Sequence, residues 1–210
     1  MKSTPAARIT NNGRLASSGA MTPKRGDRLC GYDDCPVLDS EGNEGACAMT
    51  TLAEELRSQL VRNVDAVELR REQHTPLYDT RCGGVSDGTA AKKLGAGFDI
   101  LAPGMRGCPY HFHYAQEEMF VILEGEGTLR VAGEMVPVRA GDVIFIPPGH
   151  EYPHQLINTS PAPMKYLSIS TQERPEICEY PDSGKYAAFN RPFRAVQRLE
   201  ANLDYWDGEP

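Results

Sequence analysis

From about residue 64 onward, short apolar runs alternate with clusters of glycine, proline and acidic residues. The runs Val64 to Leu69, Leu94 to Leu101, Met119 to Leu123, Thr128 to Val131, Met135 to Val138, Val143 to Ile146, His154 to Ile157 and Met164 to Ile169 predict strands. They are short and rich in β-branched residues, and they show no 3.6-residue period. Gly125-Glu-Gly127, Gly133-Glu134, Gly141-Asp142 and Pro147-Pro-Gly149 separate them as turn signals. Many short, closely spaced strands indicate an all-β sandwich or barrel. The run Met119 to Leu123 is expected in its core.

The ends differ from this middle. Residues 1–48 are rich in Gly, Ser, Asn, Asp and Pro without periodicity, and read as a flexible leader. Thr51-Leu-Ala-Glu54 is a capping box, opening a short helix within 49–63 on which Leu52, Leu56 and Leu60 recur. Met49 directly precedes it, so translation beginning there is one expectation; an intact mass that includes residues 1–48 would refute it. The barrel is expected over 64–172. Beyond it the pattern weakens through Tyr180-Pro-Asp-Ser-Gly-Lys185, and 173–210 reads as a C-terminal extension packing on the barrel or on a partner subunit.

Composition narrows the function. The net charge of −7 argues against nucleic acid, whose phosphates require clustered cations. No apolar run reaches the ~18 residues of a membrane span, and the N-terminus lacks the apolar stretch of a secretory signal. A cytoplasmic protein is therefore expected, with its six cysteines as thiols rather than disulfides. Cys30, Cys35 and Cys47 have no fourth ligand at a zinc-site spacing.

The candidate chemistry lies in the barrel region. His111 and His113, at i and i+2 on a strand, point to the same face. A short turn brings Glu118 back beside them, and His154 follows after a further hairpin's worth of chain. Three of only five histidines thus fall in one region with a carboxylate. Glu117 competes with Glu118, and His150 with His154; His154 is favoured because it begins an apolar strand, whereas His150 lies within a turn. Three imidazoles and a carboxylate suit Fe, Mn, Ni, Cu or Zn rather than calcium, and leave octahedral positions for a chelating ligand. Tyr114 and Tyr152, close in sequence to these ligands, are candidate catalytic acid–base groups. Tyr110 and Cys108 read more simply as core residues, and Arg130 and Lys165 as a strand edge or an anion contact.

These residues resemble the two motifs of the cupin superfamily. His111, His113, Glu118 and Gly125 match the first motif; Gly141, Pro147, Gly149, His154 and Asn158 match the second. Two departures stand out. Four residues separate Gly149 from His154 where the family usually has two, and Met105 replaces the glycine that usually precedes the first histidine. Tyr180-Pro-Asp-Ser-Gly-Lys185 and Asp204-Tyr-Trp-Asp-Gly-Glu209 look like segments of uncharacterised bacterial single-domain cupins. The resemblance implies a double-stranded β-helix, jelly-roll-like barrel with a short N-terminal helix and irregular terminal extensions. It also implies a divalent transition metal on His111, His113, Glu118 and His154. The function expected is an enzyme of dioxygenase, decarboxylase, isomerase or lyase type acting on a small carboxylate, sugar or phenolic; the alternative is a small-molecule-binding or sensing module. Long terminal segments on a small barrel further suggest a homodimer.

Overall fold

The computed structural model describes residues 50–190, 192–200 and 202–210. The leader, its three cysteines and Met49 lie outside the described residues. Helix α1 (Leu52–Leu60) is closed by the capping box: Glu54 N–H donates to Thr51 Oγ1, and Thr51 N–H donates to the Glu54 carboxylate at 2.7 Å. None of its residues is buried, so Leu52, Leu56 and Leu60 remain on the surface. The strand expected over Val64 to Leu69 does not form. Asn63 caps a 3-10 turn, Val64–Ala66, by accepting from Asp65 N–H, and that local bond displaces extended pairing until Arg70.

Thirteen strands follow: β1 (Arg70–His74), β2 (Tyr78–Gly84), β3 (Leu94–Leu101), β4 (Phe112–His113), β5 (Glu118–Glu124), β6 (Glu126–Val131), β7 (Glu134–Arg139), β8 (Val143–Ile146), β9 (His154–Ile157), β10 (Met164–Thr171), β11 (Glu176–Tyr180), β12 (Lys185–Asn190) and β13 (Phe193–Arg198). One sheet runs in the order β1-β2-β3-β10-β5-β8. Opposite it, β7-β6-β9 meets β4-β11-β12-β13 through an antiparallel bridge between His154 and His111. The result is an all-β double-stranded β-helix. It is wider than the pattern over 64–172 implied, because β11 pairs with β4 at Cys178↔His113 and draws the C-terminal segment into the wall. β1, β2 and β11 to β13 escape notice in the sequence because polar and charged residues break their alternation.

Leu101, Phe120, Ile122, Leu129, Val138, Ile146, Leu156, Met164 and Tyr166 form one buried cluster. The apolar run of β5 is only partly core: Phe120 and Ile122 are buried, Met119 and Val121 are half-buried, and Leu123 is 42% exposed. Strand alternation sends successive side chains to opposite faces, so an unbroken apolar run cannot all turn inward. The inward row is Glu118, Phe120 and Ile122, which puts the carboxylate at the same face as the core. Gly125, at φ 84, makes the turn from β5 to β6.

Candidate metal centre

The bridge residue His111, with β4, β5 and β9, brings the four predicted donors around Glu118; His111, Glu118 and His154 form one group that could hold a metal, and His111 and His113 form a second with Cys178. Glu118 Oε2 lies 2.7 Å from His154 Nε2, 3.4 Å from His113 Nε2 and 3.8 Å from His111 Nε2. The bridge that joins the two half-sheets also sets this geometry: His111 and His154 exchange both backbone hydrogen bonds, at 3.1 and 2.7 Å. The two extra residues between Gly149 and His154 are absorbed in the turn. Gly149 N–H donates to His113 carbonyl, Tyr152 N–H returns to Gly149 carbonyl, and His154 resumes the strand. His150 projects into solvent beside Glu151, whereas His154 is 1% exposed. Glu117 is exposed as well.

Each imidazole is oriented through its other nitrogen. His111 Nδ1 lies 2.8 Å from Pro109 carbonyl, and His154 Nδ1 lies 3.1 Å from Tyr152 carbonyl. A carbonyl only accepts, so each Nδ1 carries the hydrogen and leaves a lone pair on Nε2. His113 Nδ1 faces Glu176 Oε1 at 3.2 Å. Glu176 is 1% exposed and also accepts from the backbone N–H groups of Tyr114, Ala115 and Gln116. It therefore fixes both the ring of His113 and the turn that leads to Glu118. Asn158 of the second motif is structural: it is fully buried, donates to the carbonyls of Leu101 and Ala162, and accepts from Ser160.

The electrostatics follow from burial and these partners. Burial, then neighbouring His154, pushes His111 down to about 4. Burial also works against a charge on His113, but the carboxylates of Glu118 and Glu176 outweigh it and raise His113 to about 9. Burial would lift Glu118, yet the His113 and His154 rings beside it hold it well below the usual carboxylate range. Positive charge is thus favoured at His113 and disfavoured at His111.

The cluster opens into a cavity of about 310 Å³, with Phe120, Tyr166, Tyr180 and Phe189 among its walls and Asp99, Ser168, Cys108 and Cys178 also lining it. A larger groove of about 590 Å³ lies under Val61, Arg62 and Asp87, away from the histidines. The predicted tyrosines do not reach the cavity. Tyr114 is 53% exposed and donates to Glu179, while Tyr152 is 43% exposed and contributes its backbone carbonyl instead. Their places next to the ligands in sequence are on the outward side of the strand and turn. Of the aromatic walls, Phe120 lies 5.8 Å from the His154 ring and Tyr180 stacks 6.0 Å from that of His111.

Of the other candidates, Tyr110 is buried and accepts from Gly133 N–H. Arg130 lies 3.7 Å over the Tyr110 ring and makes two bonds to Asp182, which commits it to structure. Lys165 pairs with Glu124 at the surface. Burial raises the Cys108 thiol well above its ordinary value and pushes Cys178 up to about 12, so neither forms a thiolate near neutrality. Sequence reasoning missed Glu176, Asp99 and Ser168. Asp99 did leave a signal, as the lone charge inside the apolar run Leu94 to Leu101.

Antiparallel half-sheets closed around an inward cluster of three histidines and a glutamate define a β-barrel with a donor set of transition-metal type. The comparisons give the class its name: residues 97–170 match the family model of the Cupin domain, and the chain carries a cupin domain. Over 73 residues it is 40% identical to an uncharacterized protein of Methanocaldococcus jannaschii, covering 33% of this chain and 57% of that one. Over 59 residues it is 36% identical to an oxalate-binding protein of Thermotoga maritima, covering 28% of this chain and 47% of that one. The chain thus spans about half the length of these curated relatives. A crystal structure of a sugar phosphate isomerase from a cupin superfamily of Silicibacter pomeroyi superposes with a TM-score of 0.60 at 22% identity, covering 69% of this chain and 96% of that one. At that identity the likeness concerns the fold alone. Among the described residues no helix is long and apolar enough to cross a membrane.

Proposed function

We propose that the protein binds a divalent transition metal through His111, His113, Glu118 and His154, and uses it to hold and transform a small molecule in the adjoining cavity. One observation carries this reading. The Nε2 atoms of three rings, two buried and one half-buried, converge on one carboxylate oxygen, while their Nδ1 atoms face carbonyl or carboxylate acceptors. Such donors repel one another unless a cation sits between them. A proton on His113 fills that role in part, and a metal of the Fe, Mn, Ni, Cu or Zn kind fills it fully. When bound, it would act as a Lewis acid and template. Glu176 would keep the His113 ring aimed, and the aromatic walls would exclude water from the ligand.

The cavity also narrows the ligand. Among the described residues no arginine or lysine lines it. A phosphorylated sugar would bring a dianion whose phosphate meets no arginine or lysine beside the metal, so a less charged molecule coordinating through oxygen is the better fit. The test is elemental analysis of wild type and of the His111→Ala/His154→Ala double variant. About one metal per chain in wild type and none in the variant is expected; metal retained by the variant refutes the assignment.

A second reading, capture without turnover, is favoured by the matching stretch of the oxalate-binding relative. Reconstitution with each metal and a screen of carboxylates, sugars and phenolics separates the two. Product that disappears in His113→Ala indicates an enzyme; ligand-induced thermal shifts with no product under any metal indicate a binding module. We place the protein in the cytoplasm as a homodimer, the exposed leucines of α1 being available for pairing; sedimentation as a monomer at micromolar concentration would refute the dimer.

A further inference from the structure

The cavity is lined by two chemically different groups, the histidine cluster and, on β3, Asp99. Odd-numbered positions of β3 turn inward, so Leu101 enters the core and Asp99 faces the cavity beside Tyr166 and Ser168 of β10. Ser168 Oγ donates to Asp99 Oδ2 at 2.9 Å. No lysine or arginine among the described residues lines this space, so the carboxylate is held by a neutral hydroxyl alone. The titratable groups around it are Glu72 of β1, Cys82 of β2, Tyr166 of β10 and Cys108 of the loop before β4. None of these supplies a positive charge. Burial, helped by Glu72 and opposed by the Ser168 hydrogen bond, pushes Asp99 up to about 6. A carboxyl group so placed exchanges its proton readily near neutrality.

We propose that Asp99 takes and returns a proton on the ligand of this cavity, and that this ligand is a small, mostly apolar or aromatic molecule with paired oxygen donors at one end and an acidic C–H at the other. The inference rests on the metal reading given above. The step is closed in atoms and electrons. The Asp99 carboxylate removes a hydrogen from the carbon next to a carbonyl, and the C–H electron pair becomes the C=C bond of an enolate. The carbonyl π pair moves onto its oxygen, which faces the histidine cluster. Protonated Asp99 then returns the hydrogen to carbon or delivers it to oxygen, so the net change is an exchange or a tautomerisation with no oxidant or reductant. Phe120, Tyr166, Tyr180 and Phe189 supply apolar walls to the same cavity.

The test uses the full chain loaded with Zn(II) and phenylpyruvate as the probe, because it joins an α-keto acid chelate to an acidic benzylic carbon and one aromatic ring. Loss of the benzylic proton signal in D₂O is followed by NMR; zinc content and probe binding are measured separately, by elemental analysis and calorimetry. Wild type is expected to accelerate exchange over protein-free zinc buffer, with a rate that rises with pH through about 6. Asp99→Asn should lower the rate about 100-fold with zinc and probe binding retained, and Asp99→Glu should restore part of it. Should Asp99→Asn fail to fold, Ser168→Ala decides: loss of its hydroxyl should move the rate midpoint, and the Asp99 carboxyl signal in carbon NMR, to higher pH. A purely structural Asp99 would shift neither. Zinc retained with an Asp99→Asn rate equal to wild type overturns the inference alone, as does zinc-loaded wild type that neither binds the probe nor accelerates exchange. Wild type without zinc overturns the metal reading and this inference together.

Discussion

Replacing Glu176 with glutamine tests whether the support of the site matters as much as its donors. The two carboxylate oxygens of Glu176 divide their work: Oε1 accepts from His113 Nδ1 and Tyr114 N–H at 3.2 and 3.1 Å, and Oε2 accepts from Ala115 and Gln116 N–H at 3.1 and 2.9 Å. A carboxamide has one oxygen and one NH₂. Whichever way it turns, two N–H donors face another donor. With the side chain 1% exposed, water cannot readily replace the lost acceptor. Two unsatisfied donors correspond to roughly 2–4 kcal/mol. At about 2–4 °C per kcal/mol for a chain of this size, the melting temperature should fall by roughly 5–15 °C. The loss of orientation at His113 should weaken metal binding by about 10- to 100-fold. Calorimetric unfolding of the metal-free protein reads the first effect, and competition with a chelator reads the second. Glu179→Gln is the control, since Glu179 meets only the hydroxyl of exposed Tyr114 from this region. A Glu176→Gln protein melting within 1–2 °C of wild type, or one with unchanged metal affinity, would refute the corresponding half of the reasoning.

Single substitutions should sort the donors from their sequence neighbours: His111→Ala, His113→Ala, Glu118→Gln and His154→Ala should each lower metal content in dialysed protein, whereas His150→Ala and Tyr152→Phe should leave it unchanged. Asp99 should make stability depend on pH. Because its folded value of about 6 lies above the ordinary 3.8, the native state holds the proton more tightly, and stability is lost as pH rises from about 4 to about 6. Asp99→Asn should therefore be the more stable protein at pH 7.5, by up to about 3 kcal/mol, with the difference vanishing below pH 4; equal denaturant midpoints at pH 7.5 would count against it. Gly127→Ala should destabilise by about 1–3 kcal/mol, since a Cβ there would lie 2.5 Å from Ile157 carbonyl and 2.9 Å from Met164 Sδ; an unchanged urea midpoint would contradict this.

The parts of this molecule visible in its sequence are those whose signal is local. β3, β5 to β10 and the turns between them announce themselves by apolar runs and glycines, and His111, His113, Glu118 and His154 stand out as candidates by their spacing together with the resemblance to the cupin motifs. What remained hidden depends on pairing across the chain. β1, with sequence Arg-Arg-Glu-Gln-His, is exposed along its whole length and exists because β2 gives it a partner ladder. β11 carries Glu176, Cys178 and Tyr180 on one face, but Glu173, Arg174 and Pro175 ahead of it give the stretch the texture of a loop. Its partner is a two-residue strand sixty-odd positions earlier. No window of sequence holds both sides of that contact, so the buried carboxylate behind His113 could not be read in advance. Tyr114 and Tyr152 illustrate the same limit from the other side: closeness in sequence to a ligand says little about which face of a strand or turn a side chain occupies, and both lie outside the cavity lining.

Asp99 joins the stability and the function of the barrel in one measurement. A buried carboxylate with no lysine or arginine lining its cavity lowers the stability of the folded state near neutrality, and substitution to asparagine relieves this while keeping an acceptor for the Ser168 hydroxyl. If Asp99 only bridged β3 to β10 through Ser168, the same substitution would weaken that bond and leave the protein no more stable. The two roles therefore predict opposite signs at pH 7.5. A variant that melts higher than wild type, keeps its metal and loses proton exchange would show a residue held at a cost to stability because the chemistry of the cavity needs it.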